Sequence, residues 1–106
     1  MTEPLHMRGS SLEWKPAMPG IGRIALRDDA ATGAQTLLFK LEPGAFYPEH
    51  DHPTGEDIYV LEGDMQIGDC SLTKGDYYRT PPGGRNSNGS KNGCIVLVVT
   101  WPGSTG

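Results

Sequence analysis

The amino-acid sequence predicts an all-β protein, a small barrel or sandwich of short antiparallel strands. Three observations carry this expectation. Short alternating or β-branched runs recur along the chain, and turn residues separate almost every neighbouring pair. No window keeps apolar residues at i, i+3, i+4 and i+7 for three turns without a Gly or Pro breaking it. The 15 Gly and 9 Pro of the 106 residues punctuate apolar runs rather than gathering in one low-complexity tract, as in turn-rich β domains.

Strands are expected at Arg23 to Arg27, Gln35 to Leu41, Asp57 to Leu61, Met65 to Gly68, Asp76 to Thr80 and Ile95 to Trp101. Hairpin turns are expected at Thr32-Gly33, Glu42-Pro43-Gly44, Glu62-Gly63-Asp64 and Thr73-Lys74-Gly75-Asp76, where residues suited to tight turns cluster. The run Cys94 to Trp101 is apolar on both alternating faces and reads as a core strand covered on both sides. Leu37, Leu38 and Phe39 are similar, and such strands face a barrel interior or a second subunit, which gives a homodimer as the expected assembly. Residues 1–11 carry no pattern and read as a mobile arm or an edge strand, and Pro102 to Gly106 as a frayed end.

The whole chain, 1–106, is the length of one domain with one modest core. Thirteen Asp plus Glu against 9 Lys plus Arg, with no basic run, argue against nucleic acid as a partner. No apolar stretch reaches the roughly 20 residues of a membrane helix, and Met1-Thr2-Glu3-Pro4 does not begin a secretory signal. The expected location is the cytoplasm. Cys70 and Cys94 are then two buried or half-buried thiols rather than a disulfide, with Met65 and Cys70 assigned to the core.

Gly44 to Gly63 is the segment that carries chemistry, and it holds two of the three histidines. On an extended chain, residues two apart share a face, so His50 and His52 offer both imidazoles to one point while Asp51 faces outward. Glu56 follows after Pro53-Thr54-Gly55, a connection tight enough to return its carboxylate to the same place. Two nitrogens and one oxygen suit iron(II), manganese, nickel, zinc or copper, with positions left for water or substrate. An isolated His-x-His on a loop is more often a solvated pair, so the surrounding pattern decides.

That pattern is Gly44, five residues, His50-x-His52, three residues, Glu56, six residues and Gly63, and it resembles the first motif of the cupin superfamily at every fixed position. Gly75, five residues and Pro81-x-Gly83 resemble the second motif, over 75–90. Asn86 stands where the second motif has its metal-binding His, and Ser90 where it ends in Asn. The wording of Glu56 to Gly63 and Thr80 to Gly84 is most similar to ChrR-type cupins, which include sensor domains of anti-sigma factors and some diketone and aromatic-ketone dioxygenases. The resemblance implies a jelly-roll barrel with one divalent metal on His50, His52 and Glu56, iron(II) favoured over zinc, manganese or nickel, and usually a dimer. It does not settle the reaction, and catalytic residues beyond the ligands are not identified.

Asn86 is expected at the fourth corner of the site as a weak donor or none, because an amide oxygen binds borderline metals less well than imidazole. Tyr47, Tyr59, Tyr78 and Arg79 are candidates for the cavity wall. For Tyr59, Tyr77 and Tyr78 a cross-strand or dimer contact is the commoner use, and for Arg79 a solvent-facing position. Three functions stay open: a metal-dependent dioxygenase acting on a small organic substrate, a metal-binding sensor module, and a non-catalytic ligand-binding barrel. A chain of this length leaves no space for a separate domain that grips a sigma factor.

Overall fold

The computed structural model describes residues 3–101, so the expected fray at Pro102 to Gly106 lies outside the described residues, as do Met1 and Thr2. Nine strands follow one 3-10 turn at Gly9–Ser11. They are β1 (Lys15–Met18), β2 (Ile21–Asp28), β3 (Gln35–Leu41), β4 (Phe46–His52), β5 (Glu56–Ile67), β6 (Cys70–Thr73), β7 (Tyr77–Thr80), β8 (Gly84–Gly89) and β9 (Cys94–Thr100). All pairings are antiparallel, in the order β1-β2-β3-β9-β5-β8-β4, with β6 and β7 also on β5. The sheet curls into a jelly-roll barrel. Among the described residues no helix is long and apolar enough to cross a membrane.

The first half of β5 pairs with β9 and β7, and its second half with β6 and β8, so one strand serves both walls of the barrel. The bend falls at Gly63, which corrects the hairpin expected at Glu62-Gly63-Asp64. Register shifts between Val60 and Glu62, and Gly63 takes φ +79° with a backbone so close to the Gly93 carbonyl that a Cβ would overlap it. Glu42-Pro43-Gly44 and Thr73 to Asp76 are turns but not hairpins, since β3 does not pair with β4, nor β6 with β7. Only Thr32-Gly33, of the four expected turns, closes a hairpin, between β2 and β3. There Asp29 accepts from the Gly33 amide at 2.7 Å through its carbonyl and from the Ala31 amide at 3.0 Å through its carboxylate.

β9 lies in the middle of its wall, between β3 and β5, and the three strands form rungs. Gln35, Thr100 and Glu56 make one rung, Leu37, Val98 and Ile58 the next, Phe39, Val96 and Val60 the third. These side chains point inward. Ile58, Val60, Val96 and Ile67 are fully buried, each worth roughly 2 kcal/mol by area removed from water. Met65 belongs to this core. Cys70 does not: it shares a face with Leu72 but sits beside the Gly68-Asp69 turn, where that face is open to solvent. Both thiols are free, Cys94 being buried. At the N-terminal end the edge strand is β1, not residues 1–11, whose described part carries only the 3-10 turn.

Candidate functional site

β4 and the start of β5 build the site. β4 pairs with β8, and register shifts between Tyr47 and His50, where Pro48 and Glu49 form an irregular stretch. Proline has no amide to donate to the ladder, so an irregularity is where a strand accepts it. The shift resets the alternation, and Tyr47, His50 and His52 all face inward. Asp51 points out and takes the Arg85 guanidinium at 2.8 Å, with Glu49 3.6 Å from the same side chain. The chain then turns through Pro53 to Gly55, the Gly55 amide donating to the His52 carbonyl at 3.1 Å. Gly55, at φ +83°, runs so close to the Thr80 carbonyl that a Cβ would stand 2.8 Å from it. This close passage returns Glu56 to the wall that His52 has just left.

His52 and Glu56 are 6 % and 7 % exposed, and the imidazole Nδ1 lies 3.2 Å from the carboxylate Oε2. On the other side of the ring, Nε2 is 3.2 Å from Asn86 Oδ1, and the Asn86 amide donates to Thr80 Oγ1 at 2.8 Å. Thr80 thus orients the amide so that its oxygen faces the ring. An amide oxygen only accepts, so Nε2 carries a proton and Nδ1 presents its lone pair to Glu56 in the neutral ring. Burial pushes the Glu56 carboxyl up to about 7, against a smaller lowering by His50 and a smaller raising by Asp57. The His50 ring, whose centroid is 4.3 Å from that of His52, has Nδ1 2.9 Å from the Pro48 carbonyl. Donation to that carbonyl leaves Nε2 as its free lone pair.

These three side chains line a cavity of about 290 Å³ inside the barrel, whose middle is apolar, with Leu37, Phe39, Val96 and Val98 among its walls. The donor chemistry fits a divalent transition ion: two imidazoles and a carboxyl whose ionisation burial disfavours, a desolvation cost that a cation would offset. Among the described residues no three His, Cys, Asp or Glu side chains stand together as a ready-made metal cluster. The reason is local, since His52 turns both ring nitrogens to Glu56 and Asn86 and His50 turns one to the Pro48 carbonyl. An ion would have to replace the direct contact between His52 and Glu56.

Of the other expected residues, Tyr47 lines the cavity, its ring 4.7 Å from that of His50. Tyr78, paired with Ile58, packs against the core rather than the cavity. Tyr59 and Arg79 lie on the outer face instead, because Glu56, Ile58 and Val60 take the inward positions of β5. Tyr59 is exposed, and Arg79 stacks over Trp101 at 5.7 Å. Asn86 sits beside His52, while Asn88, two residues on, reaches the cavity. Sequence reading missed Asn88, Arg23, Gln35 and Thr100 in the cavity wall. Inward parity on β3 and β9 is the signal that would have found Gln35 and Thr100.

The fold has close counterparts among solved structures. An RmlC-like cupin from Shewanella frigidimarina superposes with a TM-score of 0.82 at 21% identity, over 95% of this chain and 93% of that one. The anti-sigma ChrR of Rhodobacter sphaeroides, solved in complex with SigE, gives 0.76 at 21% identity, over 89% of this chain and 51% of ChrR. An acetylacetone dioxygenase from Acinetobacter johnsonii gives 0.80 at 14% identity, over 95% of this chain and 74% of that one. At these identities the likeness is one of fold. No curated protein matches the sequence. The sequence model of the ChrR Cupin-like domain, however, matches residues 2–104, nearly the whole chain, and the protein therefore belongs to the ChrR cupin-like family.

Proposed function

We propose that this chain is a one-domain cupin holding a single divalent metal, iron(II) in preference to zinc, manganese or nickel, through His50, His52 and Glu56. Its reaction would be a dioxygenase-like oxidation of a small organic substrate. The observation that carries the reading is that two imidazoles and a buried, proton-poised carboxylate line one end of a cavity whose middle is apolar. A bound ion of this kind would supply Lewis-acid and one-electron chemistry at that end. The chain's own residues do the rest. Asn86, fixed by Thr80, holds the His52 ring in one orientation. Leu37, Phe39, Val96 and Val98 exclude water from the substrate body, and Tyr47 braces His50. The test is oxygen uptake by iron-loaded protein with acetylacetone and aromatic diketones as probes. Uptake that depends on probe and is lost in His50→Ala supports the reading; none with any probe argues for the alternative.

That alternative is a metal-binding sensor or regulatory module, favoured by the superposition on the anti-sigma ChrR. We further propose that two copies associate. Outward side chains of the central wall, Leu97 and Val99 with the exposed Tyr59, Tyr77 and Trp101, give an apolar face suited to a second copy. Light scattering should give twice the chain mass, and a monomer at micromolar concentration would contradict it. Two free thiols accord with a cytoplasmic location.

A further inference from the structure

The wall of the cavity away from His52 carries a cation that pairs with nothing among the described residues. Arg23, on β2, is half-buried and is the one Lys or Arg among the residues lining the cavity. Among the described residues it has no carboxylate within ion-pair distance and no side-chain hydrogen bond. Directly opposite it on β1 stands Lys15. Two like charges facing each other across a strand pair repel, and an anion between or beside them removes that cost. A guanidinium half out of water, with its five donors unspent, is a fork shaped for a carboxylate.

The strand register places this cation with respect to the metal-binding candidates. Arg23 pairs with Phe39, which shares a rung with Val96 and Val60, whereas Glu56 shares its rung with Thr100 and Gln35. The backbones of Arg23 and Glu56 are thus separated by three inter-strand steps and four residues along the strands, about 20 Å on a flat sheet and less on this curled one. The surface between them is apolar, made by Leu37, Phe39, Val96 and Val98. Asn88 adds a buried side-chain oxygen with no hydrogen-bond partner, an acceptor that a ligand hydroxyl or N–H would satisfy.

We propose that Arg23 anchors the carboxylate of a small amphipathic organic acid, whose apolar body lies along Leu37, Phe39, Val96 and Val98 and whose far end meets His50, His52 and Glu56. The inference rests on the reading of this cavity as a small-molecule site, but not on a metal being bound. It predicts preference for an acid over its neutral amide of the same shape.

The experiment measures binding of 3-phenylpropanoate and 3-phenylpropanamide by calorimetry, to chelator-treated and to zinc-loaded protein. The wild type should bind the acid about tenfold tighter than the amide in both forms. Arg23→Gln should bring the two affinities together by weakening the acid alone, and Arg23→Lys should keep part of the preference, since it retains charge but loses the fork. Far-UV circular dichroism shows that each variant is folded. An unchanged preference in Arg23→Gln, or no binding of either probe by the wild type at millimolar concentration, overturns the assignment. If zinc does not bind while the Arg23-dependent preference persists, the metal reading fails and the anchor stands. If the preference appears only with zinc and survives Arg23→Gln, the acid is held by the metal and the anchor fails.

Discussion

His52 and Glu56 face each other at 3.2 Å in the interior of the barrel, a ring nitrogen against a carboxylate oxygen. Neither is more than 7 % exposed. Their contact is where folding, pH and metal uptake meet.

The Glu56 carboxyl is raised from 4.5 to about 7 by burial, so folding favours its neutral form. The stability this contributes is complete below about pH 4.5 and is lost as pH rises through about 7, in total on the order of 3 kcal/mol. Metal-free protein should therefore weaken between pH 5 and 8 in urea unfolding, and Glu56→Gln should remove most of that slope. Equal slopes in the two proteins would place the titration elsewhere. Excess zinc should reverse the trend in the wild type, because deprotonated Glu56 is then a ligand.

Asn86 holds the His52 ring while itself held by Thr80. Asn86→Ala should lower metal affinity about tenfold without removing the site, as expected for a residue that orients a ligand. Asn86→His replaces an amide oxygen by imidazole and should retain metal longer under chelator, while slowing any reaction that needs two open positions. Retention no better than the parent would mean that residue 86 does not face the ion.

Gly63 bends β5 from one wall to the other. Gly63→Ala should cost about 3 kcal/mol or more, since it combines a left-handed φ with overlap onto the Gly93 carbonyl. Gly33→Ala, at φ +81° in open space, should cost only about 1 kcal/mol. Similar losses in thermal unfolding would show that the close approach to Gly93 is unimportant.

Much of this was legible because the decisive signals are local. His50-x-His52 states its own parity, Glu56 follows one tight turn, and β3 was delimited at Gln35 and Leu41 by its apolar run. What escaped depends on partners distant in sequence. β8, Gly-Arg-Asn-Ser-Asn-Gly, has the composition of a loop and becomes a strand because β4 and β5 pair with it. Glu62-Gly63-Asp64 has the composition of a turn, but the Gly93 segment packs against it and the strand runs on. Tyr59 and Arg79 take the commoner use expected of them, an outward position, and their candidacy for the cavity wall stayed open because parity on β5 and β7 was not assigned. Arg23 lay in an expected strand, yet the register shift between Ala25 and Arg27 conceals which side of β2 faces the cavity.

The most direct test is the metal content of protein purified without chelator or added metal, measured for the wild type, His50→Ala, His52→Ala and Glu56→Gln. The wild type should carry close to one divalent ion per chain, iron foremost, and each variant well under a tenth of that while remaining folded, since the core is apolar and independent of the ion. Wild-type protein that stays metal-free even after incubation with iron(II) or zinc, or variants that bind as much as the parent, would contradict the assignment of His50, His52 and Glu56 as the metal site.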